Sequence, residues 1–478
     1  MKGRTGARPP LAGSAAIPTL TNAKSPYQTP EEEQEAREAA AAAQLTVWRQ
    51  HLPDLFKKLA QIPDPRRPGS IRHRLTVLLF YGLLLFVFQW TSRREANRNA
   101  TSPRLAQALR EIFPDLDSIP HFDTVDRLLQ TIPVETWETV LRDRITMLLR
   151  KHALRERLVS GAWVVAVDGT QKFARHQPFA AEALQQRVSD TDTRYRVYVL
   201  EAVLVAREGL TLPLMTEFAE NSADASPETK QDCEQKAFHR LAIKLKQWFP
   251  RRRLLLVLDG LYPNGPIMTL CQQQGWDYFI VLPRNCLPSV WEDVEGLRSL
   301  DDRDGANRRT HHWGERDQVF TWANDIPYDG KDAQGHWHHR MIHVAQCEES
   351  WRDADGIAHT SHWAWISAIP LTEDNIIARC NRAGRHRWAI ETEYLVEKRH
   401  GDHFEHAFSY HWQAMKGWHY LMKIAHFLNL LTLETPTGGA LRRRRGYQET
   451  FRFLRELWTG GWLSTEFLHA HQIGSWGT

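Results

Sequence analysis

The chain has 478 residues, of which 42% are hydrophobic and 25% are charged, so it can form a large core and more than one domain. Its formal net charge of +4 is small, so any surface that binds nucleic acid must come from local basic clusters, not from the total charge. Five cysteines without a CxxC pair argue against a disulfide framework or a zinc site and favour a reducing cytoplasm.

The N-terminal part of the chain is predicted to be a tail followed by helices. Residues 1–28 are rich in Pro, Gly, Ala and Ser, which predicts a disordered tail without the apolar segment of a signal peptide. Thr29 precedes Pro30 and an acidic first turn, so we expect it to cap a helix that continues to about Leu59. Residues 29–158 form the predicted helical region.

Basic residues make this helical region a candidate for DNA binding. Arg66-Arg67 and Arg72-His73-Arg74 carry the charge, although the alternative is a helical region whose basic residues only cover its surface. Further along, Asp123 or Thr124 is predicted to cap a helix whose Val125, Leu128 and Leu129 face the core.

One segment, Leu75 to Trp90, is almost wholly apolar. It is shorter than the roughly 20 residues that span a bilayer, and Gly82 interrupts it. A buried core helix is therefore expected, with no membrane partner, over the alternative of a structural membrane protein.

Two apolar runs each end in an aspartate. The run from Ala162 to Val167 leads into Asp168-Gly169, and the run from Leu254 to Leu258 leads into Asp259-Gly260. Each predicts a buried strand that presents an acid at its C-terminal end. The alternative is a turn aspartate after an ordinary strand.

The order of predicted elements after Val159 is that of a ribonuclease-H-like α/β domain, which we place at residues 159–433. The first and fourth strands are neighbours in that topology, so Asp168 and Asp259 should emerge side by side. Five strands are predicted: one that ends at Asp168, then Tyr195–Val205, then Leu212–Phe218, then one that ends at Asp259, and finally Tyr278–Leu282. Two helices are predicted, from Ser226 to Trp248 and from Pro266 to Gln274.

Residues 291–369 predict a β-rich insertion in this domain, because they are rich in Trp, His, Thr and Val and contain Asp-Gly turns. Most of its tryptophans are expected in the insertion core. Histidines at 336, 338, 339 and 343 lack cysteine partners and the HExxH spacing, so we interpret them as strand or DNA-facing residues instead of metal ligands.

The stretch from Arg385 to Lys398 predicts a helix. Arg387 and Glu391 are four residues apart, and Glu391 and Lys398 are seven apart, so two cations flank one carboxylate on a single face. The alternative is a solvated face with an ordinary ion pair.

The C-terminal part begins with a long amphipathic helix from Trp412 to Leu433, which is expected to pack on the sheet. Residues 434–478 are predicted to be a linker, at Thr435 to Gly439, and a helical tail. The basic run from Arg442 to Arg445 suits either phosphate contact or a solvated tail.

These residues resemble the DDE transposases of the insertion-sequence family numbered four. The third acid of that family lies in the pattern Y-x2-R-x3-E-x6-K, the Y-R-E-K signature. Arg387, Glu391 and Lys398 fit the pattern in register, whereas Gly384 stands at the tyrosine position.

The resemblance extends from about Leu52 to Leu433, and Asp168 and Asp259 match the first two acids of the family. The helical block upstream resembles the N-terminal region of H-repeat-associated relatives. A β-rich insertion also lies at the corresponding place in this family.

The resemblance implies a transposase that binds the ends of an insertion sequence and catalyses metal-dependent DNA cleavage and strand transfer. It implies two Mg²⁺ ions, for which Mn²⁺ can substitute, and double-stranded DNA partners at the terminal inverted repeats and the target. A homodimer on DNA in the cytoplasm is implied as well. The implied catalytic and metal-binding residues are Asp168, Asp259 and Glu391, and the implied DNA-binding residues are Arg387, Lys398, Arg385, Tyr394 and Trp313.

The Gly384 departure keeps a second hypothesis open. A domesticated or inactive relative would bind DNA without cutting it, and the presence of all three acids argues for the active enzyme.

Overall fold

The computed structural model describes residues 27–116, 118–150, 158–189, 192–205, 211–221, 232–301 and 307–473. Residues 1–26 of the predicted tail lie outside this part, as does the predicted helix start at Ser226. The described chain is a mixed α/β structure with a helical N-terminal region and one mixed sheet.

The described part of the N-terminal region contains six α-helices: α1 Pro30–Ala60, α2 Leu75–Val87, α3 Arg93–Ala100, α4 Pro103–Ile112, α5 Phe122–Leu129 and α6 Val134–Arg150. Thr29 caps α1, since its hydroxyl accepts a hydrogen bond from the Glu32 amide at 3.1 Å. This prediction is confirmed.

The predicted cap of α5 is wrong. The helix begins at Phe122, so Asp123 and Thr124 already lie in its first turn, and the ring of His121 accepts from the Asp123 amide at 3.2 Å. The inward face is as predicted, because Val125, Leu128 and Leu129 are all buried.

The apolar segment forms α2, a helix of 13 residues that are all buried. A helix of this length spans about 20 Å, less than the roughly 30 Å of a bilayer core. Among the described helices, none has both the length and the apolar character required to cross a membrane.

The sheet contains the predicted strand order. Its first six strands are β1 Trp163–Arg175, β2 Leu184–Arg187, β3 Thr193–Val205, β4 Thr211–Ala219, β5 Leu254–Leu258 and β6 Asp277–Val281. β1, β3 and β4 are antiparallel, and β5 and β6 continue the sheet from β1 as parallel strands. The first and fourth predicted strands correspond to β1 and β5, since β2 was not predicted. These two strands pair directly, so the prediction that they are neighbours is confirmed.

β1 does not end at Asp168 as the sequence predicted. It continues to Arg175 because β3 continues beside it, with Asp168 opposite Glu201. The following Gly169 is not a turn residue: a Cβ there would lie 2.2 Å from the Tyr198 hydroxyl and 2.5 Å from Glu234 Oε2. Close packing, not a turn, explains this glycine.

Residues 308–367 form four antiparallel strands: β7 Arg308–Trp313, β8 Arg316–Lys331, β9 Trp337–Arg352 and β10 Ala358–Ser367. β10 pairs with β6, so these strands extend the central sheet instead of forming a separate module. The start of the predicted β-rich segment is a helix, α9 Pro288–Asp301, which corrects the boundary at 291.

The side chains of this extension have ordinary cross-strand roles. Of the tryptophans on these strands, Trp322 and Trp365 are buried, whereas Trp313 and Trp337 are exposed and Trp351 and Trp363 are half-buried. The expectation that most of them lie in the core is therefore wrong. His338 Nε2 lies 2.8 Å from Asp332, and His339 Nδ1 lies 2.8 Å from Asp329, so these histidines bond to aspartates of the same hairpin.

The remaining helices pack on the sheet or against the N-terminal region. They are α7 Glu234–Trp248, α8 Gly265–Gln274, α10 Glu373–Arg382, α11 Trp388–Arg399, α12 Trp412–Leu433, α13 Pro436–Arg445, α14 Tyr447–Thr459 and α15 Thr465–Ala470. A 3₁₀ turn, Gly384–Arg387, connects α10 to α11, so the helix predicted from Arg385 is regular only from Trp388.

α12 packs on both sides, not only on the sheet as predicted. Its Tyr420 hydroxyl donates to the Thr216 carbonyl on β4 at 2.9 Å, while its Trp418 indole donates to Asp126 on α5 at 2.8 Å. One hydrophobic core therefore runs from the N-terminal helices through α12 to the sheet.

The predicted linker after α12 is also wrong, since Pro436–Arg445 is helical. Thr435 caps this helix by accepting from the Gly438 amide at 3.0 Å, and Pro436 occupies its first position. Gly438 is required for packing, because a Cβ would lie 2.0 Å from the Thr432 carbonyl oxygen.

Candidate active site

Two acids lie at the edge where the parallel pairing of β1 and β5 ends. The register places Ala166 opposite Val257, and each acid lies two residues beyond this pair, Asp168 within β1 and Asp259 just after β5. Each carboxylate accepts a backbone amide at 2.8 Å, Asp168 from Gly169 and Asp259 from Leu261. The structure thus brings the first two predicted acids to one edge of the sheet.

The surroundings of Asp168 are unfavourable for a charge. Its side chain is only 15% exposed, and burial raises the pKa of this carboxyl to about 7. The Gly169 amide and the Arg387 guanidinium lower the pKa, whereas the negative charges of Asp259 and Glu234 raise it. Carboxylates therefore crowd this edge of the sheet.

Arg387 connects the third predicted acid to the first. Its Nη2 lies 2.5 Å from Glu391 Oε1, four residues along, and its Nη1 lies 3.7 Å from Asp168 Oδ2. The guanidinium is buried and also stacks on Trp388, with 4.6 Å between Cζ and the ring centroid. A single cation is thus shared by Asp168 and Glu391.

Lys398 and Tyr394 extend from α11 toward β1. Lys398 Nζ donates to Thr170 Oγ1 at 2.7 Å and lies 3.6 Å from Glu405 Oε1, with 20% of its side chain exposed. Tyr394, predicted to bind DNA, is instead buried, and its hydroxyl donates to the Asp168 carbonyl at 2.7 Å. This hydrogen bond attaches α11 to β1 at Asp168, so the Tyr394 hydroxyl is used inside the protein.

A fourth acid that no sequence pattern predicted, Glu234, lies at the start of α7. Its two carboxylate oxygens accept hydrogen bonds of 2.6 Å from the hydroxyls of Tyr198 on β3 and Tyr262 after β5. The Tyr198 hydroxyl and the Glu234 carboxylate leave no space for a side chain at position 169, which explains the glycine there. No Asp-Gly signal or motif marks Glu234, and only the folded sheet brings it to Asp168.

Trp313 of β7 and Arg385 of the 3₁₀ turn, both predicted to bind DNA, lie next to each other. Arg385 Cζ lies 5.1 Å from the Trp313 ring centroid and 4.7 Å from that of Trp363. Its Nη1 forms an ion pair of 2.6 Å with the buried Glu349. Trp313 remains 40% exposed near the β7–β8 turn, so it can contact a ligand, whereas Arg385 serves as its support.

The other face of α11 is anchored by buried charges. Lys423 of α12 lies 2.7 Å from Glu397 and 2.6 Å from Glu201, and His426 bonds to Glu393 and, at 2.6 Å, to Asp402. Burial alone would lower the pKa of His426, but the two flanking carboxylates raise it well above its usual value. These bonds fix α11 against α12, and hence the position of Glu391.

Among the described residues, one group of three potential metal ligands has all its ligand atoms within 4.8 Å of one another: Glu393, Glu397 and His426. The three predicted acids do not form such a group. The Arg387 guanidinium lies between Asp168 and Glu391, which accounts for the wider spacing of those acids. In the buried group, Lys423 and the protonated His426 already neutralise the carboxylates, so an ion would have to displace the Lys423 ammonium and the His426 proton.

Gly384 has no room for a side chain. A Cβ at this position would lie 2.7 Å from Phe279 and 2.8 Å from the Trp365 indole nitrogen, and these two buried rings stack at 5.4 Å. The departure from the resembled pattern is therefore part of the packing beneath the 3₁₀ turn.

Residues 56–144 match the family described as DDE_Tnp_1-associated. The match indicates a relative of the DDE transposases. It covers the end of α1, helices α2 to α5 and most of α6, and it includes none of the candidate acids. Comparison with curated proteins gave no match. The match thus concerns the helical region of a transposase-related chain.

Proposed function

We propose that the chain is an active DDE transposase of the insertion-sequence family numbered four, with a ribonuclease-H-like catalytic domain. It would bind the ends of its element, cut the DNA there and join the freed 3′ end to target DNA. The observation that carries this proposal is the parallel pairing of β1 and β5, which aligns Asp168 with Asp259 beside a buried arginine bonded to Glu391.

The sheet supports the fold assignment. Apart from the short hairpin strand β2, three antiparallel strands (β1, β3 and β4), a helix, and two parallel strands separated by a helix follow one another, and β1 lies beside β5. This is the ribonuclease-H-like order inferred from the sequence. The middle of β1 and the carboxyl end of β5 meet where their parallel pairing stops, and an acidic site would be built there.

The residues present fit a hard divalent cation. Burial, together with the nearby negative charges of Asp259 and Glu234, raises the pKa of Asp168 to about 7, so a bound cation would stabilise the ionised carboxylate. Carboxylate oxygens are the ligands that Mg²⁺ prefers. Asp168, Asp259 and Glu391 would hold Mg²⁺ or Mn²⁺, and two bound ions would offset charge on the attacking and leaving oxygens of a phosphodiester.

The cations of α11 suit the phosphates. Lys398 is held at the site by the Thr170 hydroxyl and is partly exposed, so its ammonium can exchange Glu405 for a DNA phosphate. Arg387 orients Asp168 and Glu391 through both of its terminal nitrogens. In cleavage, water adds to the phosphorus and the bond to the 3′ oxygen breaks, and the released 3′ hydroxyl is the nucleophile for strand transfer.

The proposed partners are double-stranded DNA of the terminal inverted repeats and the target, bound by a homodimer. The alternative is a domesticated protein that binds DNA without cutting it. Gly384 favours this alternative, because the family's pattern has a tyrosine at that position.

The test is cleavage of a labelled duplex taken from the DNA that flanks the gene, in Mg²⁺, with gel-shift binding measured in parallel. Asp168→Asn, Asp259→Asn and Glu391→Gln keep the size of each side chain and remove its charge. We expect each variant to lose cleavage and to retain binding. Asp317→Asn is the control, since it removes a carboxylate that is 78% exposed on β8.

Substantial cleavage by any of the three variants would remove that residue from the proposed site. A wild-type protein that binds the duplex in Mg²⁺ and in Mn²⁺ but cuts it in neither would support the domesticated alternative. Loss of cleavage by Asp317→Asn would show that the assay reports general damage instead of the site.

A further inference from the structure

A cavity of about 810 Å³ opens between the N-terminal helical region and the far end of β1. We call it the α3 groove. Its lining includes Arg93, Arg94 and Arg98 of α3, Arg175 of β1, and Tyr410, and its acidic members are Asp123 and Glu405. Arginines thus outnumber acids in a concave surface that the proposed active site does not use.

Two of these arginines have no partner among the residues that the structure describes. Arg94 and Arg98 lie four residues apart on one face of α3, and both are exposed. Their side chains form no hydrogen bond or ion pair with any described residue. Arg93, in contrast, is paired with Asp123 at 3.0 Å and Asp126 at 3.1 Å, which offsets the acidic side of the groove.

The opposite wall holds a third cation beside an exposed aromatic ring. Arg175 Cζ lies 4.3 Å from the ring centroid of Tyr410, and Tyr410 is 55% exposed. Guanidinium groups bind phosphate through paired N–H donors, and an exposed ring can pack on a sugar or a base. The groove therefore has the chemistry of a surface that binds a nucleic-acid backbone.

β1 joins the α3 groove to the proposed active site. Asp168 and Arg175 are seven residues apart on this strand, a distance of about 23 Å at roughly 3.3 Å per residue. Along a DNA strand with about 3.4 Å per nucleotide, the same distance corresponds to about seven phosphates. Glu405 also links the two places, because it lines the groove and lies 3.6 Å from Lys398.

We propose that the α3 groove binds the phosphate backbone of the DNA duplex about seven nucleotides from the bond that is cut. Arg94 and Arg98 would each hold one phosphate, and Arg175 with Tyr410 would form the opposite wall. The choice of DNA as the ligand rests on the proposed transposase function. The groove gives the helical region matched by the family a direct part in holding the DNA.

The experiment measures binding without cleavage. Fluorescence anisotropy of a labelled duplex from the gene's flanking DNA is recorded over a series of salt concentrations in EDTA. Each lost phosphate contact reduces the slope of log K against log salt by about one. We expect Arg94→Ala/Arg98→Ala to reduce it by about two, and Arg94→Lys/Arg98→Lys to restore most of it.

Arg110→Ala is the matched control, because Arg110 is an exposed arginine at the end of α4, outside the groove lining. It should leave the slope unchanged. Hydroxyl-radical footprinting should show that the double alanine variant loses protection about seven nucleotides from the cut bond and keeps it at the bond itself.

An unchanged slope in the double alanine variant, an equal loss in Arg110→Ala, or a wild-type protein without salt-dependent binding would each overturn the proposal. Cleavage in Mg²⁺ decides the proposed enzyme separately. A wild-type protein that never cuts, but whose slope falls only in the groove variant, would refute the active transposase and leave the groove assignment standing.

Discussion

Replacing Asp168 by asparagine is expected to stabilise the metal-free protein at neutral pH while it abolishes cleavage. Burial raises the pKa of Asp168 to about 7 from an ordinary value of 3.8. At about 1.36 kcal/mol for each pKa unit, keeping this carboxylate ionised in the folded state costs at most about 4 kcal/mol. Asparagine has nearly the same shape and carries no charge.

The sign follows from proton binding. Between pH 3.8 and about 7 the folded protein keeps the proton on Asp168 while the unfolded chain releases it. Stability from this group is therefore present at low pH and falls as the pH rises toward 7. The asparagine variant does not titrate, so its advantage over the wild type should grow through the same window.

The assay is urea unfolding in EDTA at pH 5, 6, 7 and 8, followed by the fluorescence of the protein's 19 tryptophans. Asp232→Asn is the control of opposite sign. Burial would raise the pKa of Asp232, but hydrogen bonds from Arg240 and the Glu220 amide outweigh it and keep the pKa below its usual value. That variant should be less stable than the wild type by a nearly constant amount across this pH range.

A stability difference between Asp168→Asn and the wild type that stays constant from pH 5 to pH 8 would refute the argument. It would mean that water or a local rearrangement already solvates the carboxylate. A pH-independent penalty from the new amide does not interfere, because the change of the difference with pH is the quantity that reports the charge.

Three further predictions follow from the packing of the site. Gly384→Ala should lower stability by about 1–3 kcal/mol in urea unfolding, because its Cβ would press on Phe279, whereas Gly296→Ala, with nothing within 4 Å, should not. Lys398→Ala should weaken DNA binding and reduce the salt slope by about one, and an unchanged slope would contradict phosphate contact. Tyr394→Phe should cost about 1 kcal/mol of stability through its lost hydrogen bond and leave the salt slope unchanged; a reduced slope would show that the hydroxyl contacts DNA.

Local patterns were sufficient to predict the strands that carry the two aspartates. Apolar runs ending in acids predicted both strands, and the order of elements predicted that β1 and β5 are neighbours, which the structure confirms. The Thr-Pro-Glu signal likewise predicted the cap at Thr29, which is confirmed. The apolar runs and the cap depend on residues that are close in sequence, whereas the pairing of β1 with β5 was predicted from the order of the elements.

The failures depend on contacts between residues that are distant in sequence. Gly169 resembled a turn residue, but its role is to admit Tyr198 and Glu234 from two other elements. Glu234 itself belongs to no local pattern. The linker prediction at Gly438 failed for a different, local reason: Thr435 and Pro436 already marked the start of a helix, and this signal was overlooked.

The position of α12 limits how this chain can be divided or recombined. The helix supplies one wall of the bundle in the family-matched segment and one wall of the sheet, although it lies far downstream of that segment. A gene fragment encoding residues 56–144 alone would yield helices that lack the surface they pack against. An exchange of this region between elements would preserve a folded protein only if α12 changed with it, so the two segments should have diverged together.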